Sequence, residues 1–153
     1  MNICCIHKKI LECIFFNLYN FYRGDNMDCI FCKIMNNEIP SYTIYEDEIV
    51  KVFLDVNPIS NGHSLVVPKK HFTDINDIDL DTLTHIQKTV KDLFIKYKEK
   101  LNCDGITLCQ NNQYGQEVKH YHLHIIPRYE NDGIELKSNI EKLDPKEIYE
   151  KLK

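Results

Sequence analysis

Residues 120–126 read His120-Tyr121-His122-Leu123-His124-Ile125-Ile126, imidazoles alternating with bulky apolar side chains. Imidazole changes charge near neutral pH, so it can serve as nucleophile, acid, base or metal ligand. Strict alternation predicts a half-buried β-strand. Successive strand side chains point to opposite faces, which puts the imidazoles together and sends Tyr121, Leu123 and Ile125 into the core. At about 3.3 Å per residue, His120 and His124 stand roughly 13 Å apart. One zinc ion, whose bonds to nitrogen are about 2 Å long, cannot bind both. The histidines must therefore divide between sites.

Two constellations can share them. Cys29 and Cys32 form a C-x-x-C, a spacing that suits two thiolates on one metal and also occurs as a redox motif. The βαβ context of a thioredoxin is missing. His71, after Val66-Val67-Pro68-Lys69-Lys70, and His120, the outermost of the triplet, can complete a Cys₂His₂ set. With all four positions filled, such a zinc is structural. Two free reduced cysteines beside two surface histidines is the alternative. The second constellation is His122 and His124 with His63, which follows Gly62, and the polar loop Asn111, Asn112, Tyr114, Gly115 and Gln116. Neutral amides there can hold phosphate oxygens while a metal-free imidazole attacks or shuttles protons. Solvated histidines on an open sheet face are the alternative here.

Short, well-punctuated elements must position these groups. A brief helix is expected over Cys29–Met35, ended by Asn36-Asn37. Strands follow at Tyr42–Glu46 and Ile49–Asp55 around an acidic turn at Asp47. After a loop from Asn57 to Gly62, a third strand runs His63–Val67 and closes at Pro68. Asp79 or Asp81 caps a long helix reaching about Leu101, with Leu83, Ile86, Val90, Leu93, Phe94 and Tyr97 at helical spacing. Gly105–Gln110 and His120–Ile126 are the fourth and fifth strands. Pro145–Leu152 is a terminal helix with proline in its first turn. Strands in runs around one long helix imply an α+β fold with an antiparallel meander.

At 153 residues the chain is long enough for one domain with a real core. A net charge of −4 and the absence of a basic block argue against a duplex nucleic-acid binder. Seven cysteines include Cys4, Cys5, Cys13 and Cys103 at no regular spacing, which favours a reducing cytoplasm or nucleus over a secreted disulfide framework. Residues 1–26 differ from the rest. Ile10 to Tyr22 is apolar after His7-Lys8-Lys9, but Glu12, Asn17 and Asn20 interrupt it and it is too short to span a bilayer. The expected organisation is a dispensable extension or a wrongly chosen upstream start over 1–26, with a targeting or membrane-associating arm as the alternative, and one domain over 27–153 with no membrane partner.

The run Gly115-Gln116-Glu117-Val118-Lys119-His120-Tyr121-His122-Leu123-His124-Ile125-Ile126-Pro127-Arg128 resembles the signature of the histidine-triad (HIT) superfamily. So do Cys29-Ile30-Phe31-Cys32-Lys33-Ile34, Phe53-Leu54-Asp55-Val56-Asn57-Pro58, and Gly62-His63-Ser64-Leu65-Val66-Val67-Pro68-Lys69-Lys70-His71. The likeness covers about residues 28–130, and is greatest to the Hint-like branch of nucleotide-binding phosphoramidases that carries C-x-x-C.

The resemblance implies an antiparallel α+β sheet of about five strands that pairs into a homodimer. It implies that His122 attacks the α-phosphorus of a purine nucleoside phosphoramidate or related AMP-X ester, forming a nucleotidyl-histidine that water hydrolyses. His124 and His63 then contact phosphoryl oxygens, with Asn111 and Gln116 as neutral donors. Asp55 accepts from the ribose, and Phe31, Ile34, Phe53 and Val56 wall the base. Zinc-bearing relatives imply Cys29, Cys32, His71 and His120 as ligands of a structural zinc, with no organic cofactor. A dinucleoside polyphosphate hydrolase and a non-catalytic, zinc-stabilised nucleotide-binding scaffold are the alternatives. Two departures stand out. Position 117 is Glu where some relatives carry a hydroxyl residue, so Glu117 is either the acid for the leaving group or a bystander. The loop Asn111–Tyr114 is short, which leaves the active-site amide to Asn111 or Asn112.

Overall fold

A computed structural model of the chain describes residues 28–135 and 144–153. The expected extension over 1–26 lies outside the described residues.

The chain enters through a short helix, α1 (Ile30–Met35), whose N-cap Cys29 has extended backbone and whose C-cap is Asn36. The hairpin of β1 (Thr43–Glu46) and β2 (Val50–Leu54) follows. Asp47 holds its turn, accepting from the Ile49 and Val50 amides at 2.8 Å each and from the Tyr45 hydroxyl at 2.7 Å. Strand β3 (Ser64–Pro68) leads to the long helix α2 (Leu80–Leu101). Of the two expected caps, Asp79 is the one used: its carboxylate accepts from the Thr82 amide at 2.7 Å, satisfying a free first-turn donor. Asn102, in the left-handed region at φ 52°, ends the helix. Strands β4 (Gly105–Cys109) and β5 (Leu123–Arg128) and helix α3 (Pro145–Leu152) complete the described elements.

The strands form one antiparallel sheet in the order β1-β2-β3-β5-β4. Its two faces bury different cores. Val50, Val52, Val66, Leu123 and Ile125 point to one side and meet Ile86, Val90, Leu93 and Tyr97 of α2. Phe53, Leu65 and Val67, their alternates, meet Phe31, Ile34 and Met35 of α1 on the other. Alternation with period 2 against a 3.6-residue helix stripe produces this division. Among the described residues, no helix is long and apolar enough to cross a membrane.

The fifth strand departs from expectation at its start. It begins at Leu123 rather than His120 and runs on through Pro127 and Arg128, pairing with β3 over Ser64–Val66 and with β4 along its length. Upstream, the Tyr121 amide donates to the Phe72 carbonyl at 2.6 Å, so the segment leaving β3 takes the place of a strand neighbour. The facing pattern survives that change. Tyr121, Leu123 and Ile125 lie in the α2-side core, while the His120 and His122 rings meet Phe31 of α1.

Candidate active site and metal centre

Helix α1, the exit of β3 and the run into β5 converge on four ligand-type side chains. Cys29 Sγ lies 3.5 Å from His120 Nδ1, and Cys32 Sγ lies 3.3 Å from His71 Nδ1 and 3.6 Å from His120 Nδ1. All four ligand atoms fall within 4.8 Å of one another. Zinc bonds of about 2.3 Å to sulfur and 2.0 Å to nitrogen at tetrahedral angles set sulfur–nitrogen edges near 3.5 Å, so the donors fit a zinc ion. His120 is wholly buried, and its Nε2 donates to the Pro68 carbonyl at 2.9 Å, aiming Nδ1 at the thiols. The Cys29 thiol is held down at about 3, first by the Cys32 thiol beside it, with His120 adding to the depression against an opposing effect of burial. The two cysteines, which form no disulfide, and the two histidines therefore share one spot.

His63, His122 and His124 line a single groove of about 760 Å³ between α1 and the sheet. Phe31 separates it from the cysteine cluster, with its ring edge-on to His120 (5.9 Å) and to His122 (5.2 Å). His122 is 6% exposed, so it is no solvated surface histidine. Its Nδ1 lies 2.7 Å from the His120 carbonyl oxygen. A carbonyl can only accept, so Nδ1 carries the proton and the Nε2 lone pair is left unprotonated. Burial pushes the His122 imidazole below its ordinary value, against an opposing effect of that same hydrogen bond.

His63 and His124 are fixed by a similar relay. The Ile59 amide donates to His63 Nδ1 at 3.3 Å, so neutral His63 carries its proton on Nε2. That Nε2 lies 2.9 Å from His124 Nδ1 and donates to it, which leaves neutral His124 with a proton on its own Nε2. Burial lowers both, His124 to about 4 with neighbouring imidazoles His122 and His63 adding to the effect. Asp55 Oδ2 lies 3.6 Å from His63 Nε2 and 3.8 Å from His124 Nδ1, and partly opposes the lowering at both. The groove thus presents one imidazole lone pair and one imidazole N–H side by side, with His122 and His124 ring centres 5.0 Å apart.

The other expected residues divide. Phe31, Ile34 and Phe53 are buried in the groove wall, and Val56 lines it while 83% exposed. Asp55, Asn111 and Glu117 also line it. Asn112 does not; its amide is spent on Gln110 at 2.8 Å and its carbonyl oxygen accepts from Ile75. Of the two candidate amides, Asn111 is therefore the one facing the groove. Gln116 also departs from expectation. It is buried outside the groove lining and donates to the carbonyls of Thr73 (2.6 Å) and His120 (3.5 Å), holding the loop in place. Three features were not anticipated from sequence. Ile59 acts through its backbone amide, which no residue type signals. Cys109 lines the groove because it pairs with His124 across β4 and β5. Tyr42, on the connector into β1, extends the apolar wall.

A HIT-like protein of Methanocaldococcus jannaschii is 46% identical over 128 residues, spanning 82% of this chain and 98% of its own. The adenosine 5′-monophosphoramidase of Saccharomyces cerevisiae is 38% identical over 102 residues, 65% of this chain and 62% of that one. The crystal structure of a zinc-bound histidine triad family protein from Mycobacterium smegmatis matches with a TM-score of 0.69 at 32% identity, covering 75% of this chain and 85% of that one. The HIT domain family model matches residues 36–131, and the chain belongs to that family.

Proposed function

We propose that the protein is a nucleotidyl hydrolase of the Hint-like branch, acting at the α-phosphorus of purine nucleoside phosphoramidates or AMP-X esters through a nucleotidyl-histidine at His122. The observation that carries this reading is the 2.7 Å bond from His122 Nδ1 to the His120 carbonyl, which reserves Nε2 for attack. The yeast relative's activity on adenosine 5′-monophosphoramidate supports the same reaction class.

In the first step the Nε2 lone pair bonds to phosphorus and the phosphorus–leaving-group bond breaks. The departing amine takes up a proton, for which Glu117 on the groove wall is the proposed donor. In the second step water attacks phosphorus and the phosphorus–histidine bond breaks, which returns the Nε2 lone pair; one water proton leaves with the phosphate of AMP and the other restores Glu117. The His124 Nε2–H and the Asn111 amide would steady the phosphoryl oxygens without added charge, and Asp55 would hold the ribose. Phe31, Ile34, Phe53 and Val56 would wall the base. Cys29, Cys32, His71 and His120 would hold a zinc ion whose role is to fasten α1 to the sheet.

The expected assembly is a homodimer, for which β4 lies at the sheet's edge among the described residues, with Leu108 exposed. The proposed domain runs 27–153 in a cytoplasmic protein.

Rapid quench with a radiolabelled adenosine phosphoramidate tests the reaction. His122→Ala should lose turnover on the order of 10³-fold or more and form no covalent adduct, while still binding AMP. Unchanged turnover in that variant would refute the assignment. Faster hydrolysis of diadenosine tetraphosphate than of the phosphoramidate by the wild type would favour the polyphosphate hydrolase instead. Tight AMP binding with no wild-type adduct would favour the scaffold.

A further inference from the structure

The groove holds a second cluster with the composition of a metal site. Asp55 Oδ2, His63 Nε2 and His124 Nδ1 form a triangle with edges of 3.6, 3.8 and 2.9 Å. Metal bonds of about 2.0–2.1 Å to nitrogen and 2.0–2.2 Å to oxygen at tetrahedral angles require edges near 3.4 Å. Each observed edge lies within about half an ångström of that value, a shift that side-chain torsions absorb. Asp55 directly follows β2, His63 directly precedes β3 and His124 lies in β5; the Asp55 amide donates to the His63 carbonyl at 3.0 Å, so the sheet and this bond together set the spacing.

The supporting shell is also present. Asp55 Oδ1 accepts from the Asn57 amide at 2.8 Å, which aims Oδ2 at the two rings. His63 is 5% exposed and Asp55 and His124 are half-buried, so the ligands are pre-ordered and only the groove side is open to solvent. Two imidazoles and one carboxylate suit borderline divalent cations in preference to magnesium or calcium.

We propose that Asp55, His63 and His124 form a second divalent-cation site of the Zn²⁺ or Co²⁺ class, open to the groove on its fourth side and distinct from the Cys29–Cys32–His71–His120 cluster. Loading it moves the His63 proton from Nε2 to Nδ1, which then faces the Ile59 N–H as a second donor and breaks that bond. The site is therefore weaker than the Cys₂His₂ cluster and fills after it. Because the cation takes the very atoms that pass the tautomer from His63 to His124, the loaded cluster and the relay exclude each other. None of this depends on which nucleotide the groove accepts.

Titration of Co²⁺ into the as-purified protein under equilibrium dialysis, followed by visible absorbance, tests the site. The expected result is one equivalent beyond the cysteine cluster, with nitrogen–oxygen ligand-field bands and no thiolate charge-transfer band. Affinity for that equivalent should fall at least about tenfold in Asp55→Asn and in His63→Gln, and stay unchanged in Cys109→Ser. Absence of the extra equivalent, its persistence in both ligand variants, or a thiolate band would each overturn the proposal. A second measurement needs no variant: in the wild type, Zn²⁺ should shift the imidazole resonances of His63 and His124 together. A shift confined to His85, which forms an accessible pair with Asp47 at 2.7 Å, would assign the cation to that surface pair and sink the site.

Discussion

At the scale of single residues, the chemistry rests on which nitrogen of each imidazole carries a proton. Sequence spacing put the histidines on one face, because alternation needs only the pleat. It did not assign tautomers, because the groups that set them are the backbone carbonyl of His120 and the backbone amide of Ile59. The same limit explains Gln116, an amide of the right type in the right loop that is consumed by Thr73 and His120 carbonyls. Burial of the histidines has a pH consequence. His63, His122 and His124 all bind protons less readily folded than their ordinary value of about 6.5. The unfolded chain therefore takes up protons first as pH falls. Their contribution to stability is complete above about pH 6.5 and is lost progressively as pH falls toward the His124 value of about 4. Between pH 8 and 7 the histidines add no slope and only the lowered Cys29 thiol tilts the urea midpoint downward; the fall should steepen through the acid window, where the histidines join it. For the same reason kcat/KM should stay flat down to about pH 6.5, its acid limb lying lower. A limb at or above that pH would contradict a buried, neutral His122.

Elements were more legible than their ends. Helix α2 follows from its apolar spacing and the Asp79 cap, and the β1–β2 hairpin from the acidic turn at Asp47, because both are local. The start of β5 is not local: the Phe72 carbonyl captures the Tyr121 amide, a contact across 49 positions that periodicity cannot register. One loop residue links this level to the site. Gly62, directly before His63, has φ +88°, and a Cβ there would meet Leu101 Cδ1 at 2.5 Å and Pro127 Cγ at 3.3 Å. The Leu101 methyl can swing away; the backbone angle cannot be relieved so easily. Gly62→Ala should cost about 1–2 kcal/mol, read as a Tm lowered by roughly 3–8 °C. It should also reduce turnover, since the loop that carries the Ile59 amide ends at this glycine. Unchanged Tm and unchanged turnover together would mean that the loop relaxes without consequence.

At the scale of the whole molecule, the sheet separates two cores of unequal size, and the smaller one forms the groove. The α2-side core is extensive and wholly apolar at its centre. The α1-side core is a six-residue helix laid on Phe53, Leu65 and Val67, too short to be stable by propensity alone. Polar contacts add to that apolar packing in holding α1 in place. The buried Lys51 donates to the Ile34 carbonyl at 3.3 Å and to Asn37 Oδ1 at 2.9 Å. Cys29 and Cys32 meet His71 and His120 at its other end. Phe31, between the clusters, then transmits the position of α1 to His122 by direct ring contact. Releasing the cysteine end should therefore loosen the base wall before it touches the chemistry. Cys32→Ser, or chelation of the proposed zinc, should lower stability by about 3 kcal/mol, on the order of 10 °C in Tm. The same change should raise the AMP dissociation constant more than it lowers kcat, because His124 is held in β5 and His122 sits between β5 and the Tyr121–Phe72 backbone bond, while Phe31 and Ile34 ride on α1. Calorimetry paired with steady-state kinetics reads both quantities. An equal loss in kcat with AMP affinity unchanged would place the cysteine cluster in the reaction rather than in the wall.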